Sequence, residues 1–189
     1  RDYILQLRFK PMPRYVEGIV DHRASPPPKA SPVGRMFMQP RVETAERRQL
    51  KLDDAIGPWF ALIGVNVDPL AALGAQERGF WKALGATAFH VVKSRRGPRT
   101  DVPQGTGAVL REDLEGAFRD WLSAHPDQEI IVLRPDRYVA AVCRRDELPA
   151  VTARLRERLG TPMAAVEAES KDPAQLAPAA VATEHRKAA

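Results

Sequence analysis

The sequence of 189 residues has little of what several common chemistries require. Its single cysteine, Cys143, excludes an intrachain disulfide, a C-x-x-C redox pair and a zinc site built on several thiolates. This cysteine usage fits a reduced, cytoplasmic location. No apolar run approaches the roughly 20 residues that a membrane-spanning helix needs, and no secretory signal peptide is visible. We therefore expect a cytoplasmic protein that makes no contact with a membrane.

The sequence also lacks the short motifs that mark nucleotide and hydrolase sites. It contains no G-x-G-x-x-G, no Walker lysine motif and no G-x-S-x-G. No histidine pairs with another at a metal-ligand spacing; the four are His22, His90, His125 and His185. His90 lies in a strand pattern, and His125 ends a predicted helix, where a cation suits the helix dipole. We predict no catalytic, cofactor-binding or metal-binding residue in this chain.

Charge is concentrated near the N-terminus, where residues 1–50 hold 10 basic and 5 acidic residues. A basic arm can bind nucleic acid, but no recognition motif or aromatic interleaving accompanies it, so we expect no nucleic-acid partner. Asp53 and Asp54 are adjacent and cannot converge on one point, which favours helix capping over acid–base chemistry. The basic run at 93–99 is typical of a solvated loop, although it could hold an anion.

The apolar runs predict an α/β domain. The predicted strands cover residues 59–65, 88–92, 109–110, 129–134 and 137–143. The predicted helices cover residues 52–57, 69–84, 114–123 and 146–159, the first of which could be only a turn. Asp146 is the expected N-cap of the last helix, and Gly160 its expected stop. Pro135-Asp136 predicts a turn that joins two strands into a hairpin.

This order, a βαβ unit followed by a ββα unit, is the thioredoxin-like arrangement. An enzyme of that type carries a reactive thiol at the start of its first long helix, where the helix dipole lowers the thiol pKa. The corresponding residues 64–69 contain no cysteine, and Cys143 is expected to be a small core residue. The predicted domain is therefore redox-inactive.

Irregular segments flank this domain on both sides. Residues 1–34 combine a short apolar segment at 3–9 with a proline-rich stretch at 25–29, and we predict a remnant of an upstream domain plus a linker. The thioredoxin-like domain is predicted to cover residues 35–160. Residues 161–189 have few large apolar side chains and are predicted to form a mobile tail.

Four stretches of the sequence carry a resemblance to a known family. They are DYILQLRFKPMPRY at 2–15, VGRMFMQPRV at 33–42, LDDAIGPWFALIG at 52–64 and VLRPDRYVA at 132–140. In this order they resemble the C-terminal region of flavin-dependent aromatic-ring hydroxylases, in particular the 3-(3-hydroxyphenyl)propionate hydroxylase group, which is related to phenol hydroxylases. The resemblance covers about residues 1–160.

The resemblance implies a larger enzyme that uses FAD, NADH and O₂ to hydroxylate a phenolic ring ortho to an existing hydroxyl group. Its flavin motifs would lie upstream of Arg1, so no catalytic or FAD-binding residue can be carried over to this chain. The family's C-terminal domain is similar to thioredoxin without the cysteines and is regarded as a structural and dimer-contact domain. The implied partners are the upstream FAD and substrate domains and a second copy of the enzyme. The alternative is a stand-alone, redox-inactive thioredoxin-fold binding protein.

Overall fold

The structure, a computed structural model, describes residues 13–22, 29–93 and 107–160. Outside these residues lie the apolar segment at 3–9, most of the proline-rich linker, nearly all of the basic loop and the C-terminal tail. The strands are β1 (Arg41–Glu43), β2 (Gln49–Lys51), β3 (Ala61–Val65), β4 (Thr87–Lys93), β5 (Val109–Asp113), β6 (Ile130–Leu133) and β7 (Val139–Cys143). The α-helices of the described residues are α1 (Leu52–Ile56), α2 (Ala75–Ala83), α3 (Ala117–Ala124) and α4 (Leu148–Arg158).

One seven-stranded sheet organises the domain, with the strand order β2-β1-β5-β4-β3-β6-β7. β3 and β4 are parallel and joined through α2, whereas β6 and β7 form an antiparallel hairpin followed by α4. The predicted α/β class and the βαβ-then-ββα order are therefore confirmed. β3 is antiparallel to β6, and Ala61 lies opposite both Leu133 and Thr87. The first residues of β3 and β4 consequently lie at the same end of the sheet as the turn at 134–138, which we call the hairpin end.

Helices cover both faces of the sheet, because the central strands are apolar on both sides. β3 is buried along its whole length, as its continuous apolar run predicted. On one face α1 and α3 pack through buried side chains, namely Leu52, Ile56 and Phe118. On the other face α2 and α4 contribute Phe80, Trp81, Leu148, Val151 and Leu155. Among the described residues, no helix is both long and apolar enough to cross a membrane.

Two predicted helices begin later than expected. The helix predicted at 69–84 is divided into a 3-10 helix (Pro69–Ala72) and α2, because Leu73 is extended and Gly74 is the N-cap of α2. The helix predicted from residue 114 starts at Ala117, since β5 continues to Asp113. The buried Asp113 carboxylate accepts hydrogen bonds from three successive backbone N–H groups, those of residues 117, 118 and 119, at 3.0–3.2 Å. It thereby satisfies the free donors at the start of α3.

The start of the last helix also differs from the prediction, and its end agrees. Asp146 is not the N-cap, because it lies in a 3-10 helix (Arg145–Glu147) that precedes α4. The carboxylate of Glu147 accepts a hydrogen bond from the backbone N–H of Arg144 at 2.8 Å. Gly160 ends α4 with φ +66°, and its N–H donates to the Glu157 carbonyl at 3.0 Å, so the predicted stop is confirmed.

β1 and β2 were not predicted, and the pairing of β1 with β5 brings two carboxylates together. Glu43 on β1 is the register partner of Glu112 on β5, and both side chains are buried. Like charges placed directly opposite each other on neighbouring strands are destabilising. The Arg47 guanidinium offsets the repulsion, because its Nη1 lies 2.8 Å from Glu43 Oε1 and 3.8 Å from Glu112 Oε2. The hydrogen bond with Glu43 raises the pKa of Arg47.

Candidate functional site

The position where a thioredoxin-like enzyme would hold its thiol lies at the end of β3. Here the chain turns through Asn66, whose φ is +60°, into the 3-10 helix. Asp68 Oδ1 accepts a hydrogen bond from the backbone N–H of Leu70 at 2.8 Å, so a carboxylate caps this turn. The turn is tight, since a Cβ on Gly64 would lie 2.2 Å from the Val67 carbonyl oxygen. A carboxylate thus lies where redox chemistry would need a thiolate.

Cys143 lies on β7, away from that turn in sequence and enclosed by the core. Its side chain is fully buried in the cluster formed with α2 and α4. The prediction that Cys143 is a core residue is therefore confirmed. A thiol without access to solvent cannot attack a protein disulfide, because exchange requires an exposed thiolate.

The three histidines of the described residues lie in different parts of the fold. His22 Nε2 lies 3.0 Å from the Tyr15 carbonyl oxygen in the N-terminal arm, and His90 is half-buried on β4. His125 follows α3 as predicted, with its ring stacked on Trp121 at a centroid distance of 4.4 Å. His185 lies outside the described residues. Within the residues that the structure describes, no group of three or more potential metal ligands is found.

The acidic pair at the start of α1 has a role that the sequence did not indicate. Neither Asp53 nor Asp54 caps the helix; its N-cap is Lys51, which makes no side-chain cap. The capping prediction was therefore wrong. Asp53 instead forms an ion pair with Arg137, whose Nε lies 3.2 Å from Asp53 Oδ1, and accepts a hydrogen bond from the Gln39 side chain.

Arg137 connects the hairpin to α1. Its φ is +67°, a backbone conformation that residues other than glycine rarely adopt. From there its Nη2 donates to the Gly57 carbonyl at 2.6 Å. The Arg134 carbonyl accepts from Arg137 N at 3.0 Å, which confirms the turn predicted at Pro135-Asp136. The left-handed residue therefore holds the stretch at 132–140 against the stretch at 52–64.

An N-terminal arm, defined as residues 13–22 and 29–37, covers the outer edge of β7. Gly34 N donates to the Val139 carbonyl at 2.8 Å, and Val139 N donates to the Arg35 carbonyl at 2.9 Å. Asp21 N donates to the Ala140 carbonyl at 2.7 Å, beside the irregular register of β6 and β7. The arm thereby occupies the edge of β7 at residues 139 and 140, which hinders pairing with another chain at these residues. The domain boundary at residue 34 stays a prediction.

Tyr15 fixes the arm at the hairpin end. Its ring meets the ring of the buried Tyr138 edge-on, with 4.7 Å between centroids. The Arg134 guanidinium lies over the Tyr15 ring at 4.3 Å and also forms an ion pair with Asp136 at 2.8 Å. Aromatic and cation–π contacts of this kind contribute about 0.5–1.5 kcal/mol each.

A second anchor of the arm is an ion pair with α4. Arg154 donates hydrogen bonds to both carboxylate oxygens of Asp21 at 2.8–3.1 Å. The Asp21 side chain is only 6% exposed, and its hydrogen bond raises the pKa of Arg154. An open groove of about 640 Å³ lies alongside, lined by Asp21, His22, Asp146, Glu147, Ala150, Arg154 and Arg158. Its mixed charges and the internal pairing of Asp21 with Arg154 indicate an anchor of the arm rather than a ligand site.

Sequence reasoning missed Arg137, Tyr15 and the Asp21–Arg154 pair. For Arg137 a signal existed, because a type I turn at Pro135-Asp136 in a hairpin is commonly followed by a left-handed residue. The sequence also held a signal for Gly34, because an isolated glycine often marks a positive φ or a close approach of the backbone to other atoms. Nothing in the spacing of Asp21 and Arg154 indicates their pairing.

Comparisons with known proteins confirm the resemblance. A family model described as HcaD C-terminal domain matches residues 34–158. The 3-(3-hydroxy-phenyl)propionate/3-hydroxycinnamic acid hydroxylase 2 of Burkholderia vietnamiensis (strain G4 / LMG 22486) is 45% identical over 158 residues, which are 82% of this chain and 28% of that protein. The corresponding hydroxylase of Mycobacterium avium (strain 104) is 39% identical over 83% of this chain and 27% of its own length. The chain thus spans little more than a quarter of these curated relatives.

Solved structures show the same fold. Aklavinone-11 hydroxylase, in a ternary complex with FAD and aklavinone, aligns with a TM-score of 0.50 and 18% identity over 79% of this chain and 26% of that chain. The C-terminal domain of an uncharacterized protein from Bacteroides fragilis NCTC 9343 aligns with a TM-score of 0.50 and 13% identity over 67% of this chain and 98% of that chain. At such identities the likeness concerns the fold alone.

Proposed function

Because this chain belongs to the HcaD C-terminal domain family, we propose that it is the C-terminal domain of a flavin-dependent aromatic hydroxylase. The observation that carries the proposal is the match over residues 34–158, together with 45% identity to a 3-(3-hydroxy-phenyl)propionate hydroxylase. The whole enzyme would use FAD, NADH and O₂ to add a hydroxyl group to a phenolic ring such as that of 3-(3-hydroxyphenyl)propionate. Hydroxylation, flavin binding and substrate choice would belong to domains upstream of this one.

The turn after β3 does not fit a flavin dinucleotide. Such cofactors place their pyrophosphate on a glycine-rich turn between a strand and a helix, where backbone N–H groups are free. Here the turn after β3 lacks that glycine pattern, and the Asp68 carboxylate both occupies a backbone donor and would repel a phosphate. The role that the geometry supports is therefore structural: a cysteine-poor domain that stabilises the upstream domains.

The proposal includes two further points. We propose that the enzyme works in the cytoplasm, which suits a chain whose single cysteine is buried in the core. The enzyme is also proposed to self-associate through this domain. β2 is the outermost strand on the side opposite the arm, and an edge strand can extend a sheet across two copies of a chain.

The test uses the parent protein, expressed from its natural gene without trimming. Intact mass and flavin absorbance come first, followed by oxidation of NADH with 3-(3-hydroxyphenyl)propionate and O₂. A yellow protein several times longer than this chain that hydroxylates the substrate would support the proposal. A colourless protein that contains only these residues would overturn it and favour the stand-alone, redox-inactive binding protein. Light scattering of the same sample measures self-association.

A further inference from the structure

The hairpin end of the sheet carries most of the exposed large apolar side chains in the described residues. Four of the five exposed large apolar residues belong to the arm or to the segment before β3: Tyr15 (41%), Val16 (58%), Met36 (50%) and Trp59 (56%). Met36 is bridged to Tyr138 in the turn, and Trp59 precedes β3 at the same end. Exposed apolar residues gathered at one end of a domain mark an interaction surface.

We propose that this hairpin end is the surface by which the domain docks on the upstream domains of the same polypeptide. This inference rests on the proposed function, because the occupant of the surface is the upstream part of the proposed enzyme. The docking surface consists of Tyr15, Met36, Trp59 and the turn at 134–138.

The path of the chain supports this occupant. Arg14 Nε donates to the Val33 carbonyl at 3.2 Å, and Tyr15 packs on Tyr138, so the arm passes the hairpin end at its first described residues. The described part of the arm therefore begins at the surface where apolar side chains are exposed. A C-terminal domain tethered in this way meets its upstream neighbour at an effective concentration of about 1 mM or more, which favours it over a second, untethered copy.

The exposed side chains indicate the chemistry of the occupant. Met36 and Trp59 are half-exposed, so the occupant should present an apolar surface to them. Apolar contact at the centre of the buried patch is typical of protein interfaces.

The experiment is hydroxyl-radical footprinting of the full-length enzyme, with each residue's oxidation rate normalised to the rate in urea. Met36 and Trp59 are half-exposed in this chain alone, so docking should slow their oxidation by at least about fivefold relative to that exposure. Val109, which is 40% exposed and lies outside the docking surface, serves as the internal control and should react as its exposure predicts. Fast oxidation of Trp59 and Met36 in a yellow, active enzyme would overturn the docking proposal while leaving the proposed function intact.

Two variants sharpen the test. Met36→Asp in the full-length enzyme should restore fast oxidation of Trp59, since both residues would lie in one interface, whereas the matched Val109→Asp should leave Trp59 protected. Protection that disappears on dilution to the monomeric enzyme would identify a second copy as the occupant and overturn the proposal. The absence of flavin and of any upstream domain would overturn the proposed function itself. The absorbance spectrum and the intact mass detect that outcome independently of the footprinting.

Discussion

The backbone carbonyl oxygen of Tyr15 occupies the space that a side chain on Gly34 would need. A Cβ built on Gly34 would lie 1.9 Å from that oxygen, and the Gly34 backbone has φ +77°. The two residues are also joined by a hydrogen bond of 2.8 Å from Tyr15 N to the Gly34 carbonyl. This contact ties the first part of the arm to the part that pairs with β7.

Gly34→Ala is therefore expected to separate Tyr15 from the hairpin and to destabilise the domain by at least about 2 kcal/mol, from left-handed strain plus the steric clash. Urea unfolding, with the fluorescence of the tryptophans as the signal, measures the loss. Gly160→Ala is a control for the backbone strain alone, because Gly160 has φ +66° and nothing within 4 Å of its Cβ position. Equal losses in the two variants would show that the Tyr15 contact contributes nothing.

The ion pair between Asp21 and Arg154 should hold the arm on α4. Arg154→Met leaves a carboxylate that is 6% exposed without its partner, and the expected loss of stability is about 1–3 kcal/mol. Arg119→Met is the control, because its ion pair with Asp120 is more than 60% exposed on both sides and should contribute less than about 1 kcal/mol. Indistinguishable urea midpoints for the two variants would contradict the anchoring role.

The hydrogen bond between Trp81 and Thr152 links α2 to α4 inside the core. Trp81 Nε1 donates to Thr152 Oγ1 at 3.0 Å, and both side chains are buried. Thr152→Val keeps the shape of the side chain but leaves the indole N–H unpaired, so we expect a loss of about 1–3 kcal/mol. Thr152→Ser keeps the hydroxyl and should lose less. If the valine variant proves the more stable of the two, packing rather than the hydrogen bond governs this contact.

The turn between β1 and β2 gives a prediction for pH. The hydrogen bond from the Thr44 side chain is the main cause that lowers the pKa of Glu46 below its ordinary value. A lowered folded-state pKa stabilises the fold above the unfolded-state pKa, and this contribution is lost as the pH falls through the folded value. Thr44→Val should therefore raise the pKa of Glu46, as measured by NMR titration of its side-chain carboxyl. An unchanged pKa would assign the effect to the backbone hydrogen bond instead.

The central strands could be predicted from the sequence, whereas the sheet extension could not. β3, β6 and β7 are buried on both faces and therefore appear as continuous apolar runs. β1 and β2 are three residues long and carry charged side chains, so no periodicity distinguishes them from a loop. They are strands because their backbones pair with each other, and β1 also pairs with β5.

The proposed docking surface likewise could not be predicted from sequence patterns. Arg137 binds the carbonyl groups of Asp53 and Gly57, which are 84 and 80 residues away in sequence. Such partners are set by the fold as a whole, and local spacing does not encode them. What the sequence did contain was the family resemblance, and the stretches at 33–42, 52–64 and 132–140 that carry it meet around the hairpin.

The pairing of the arm with β7 also sets an order of events during protein synthesis. The arm leaves the ribosome first, whereas β7, which supplies its backbone partners, is the last strand of the described residues to emerge. Contacts between distant parts of a chain form late, because the intervening loop must be closed first. The arm can therefore become fixed on the sheet only after translation has passed β7.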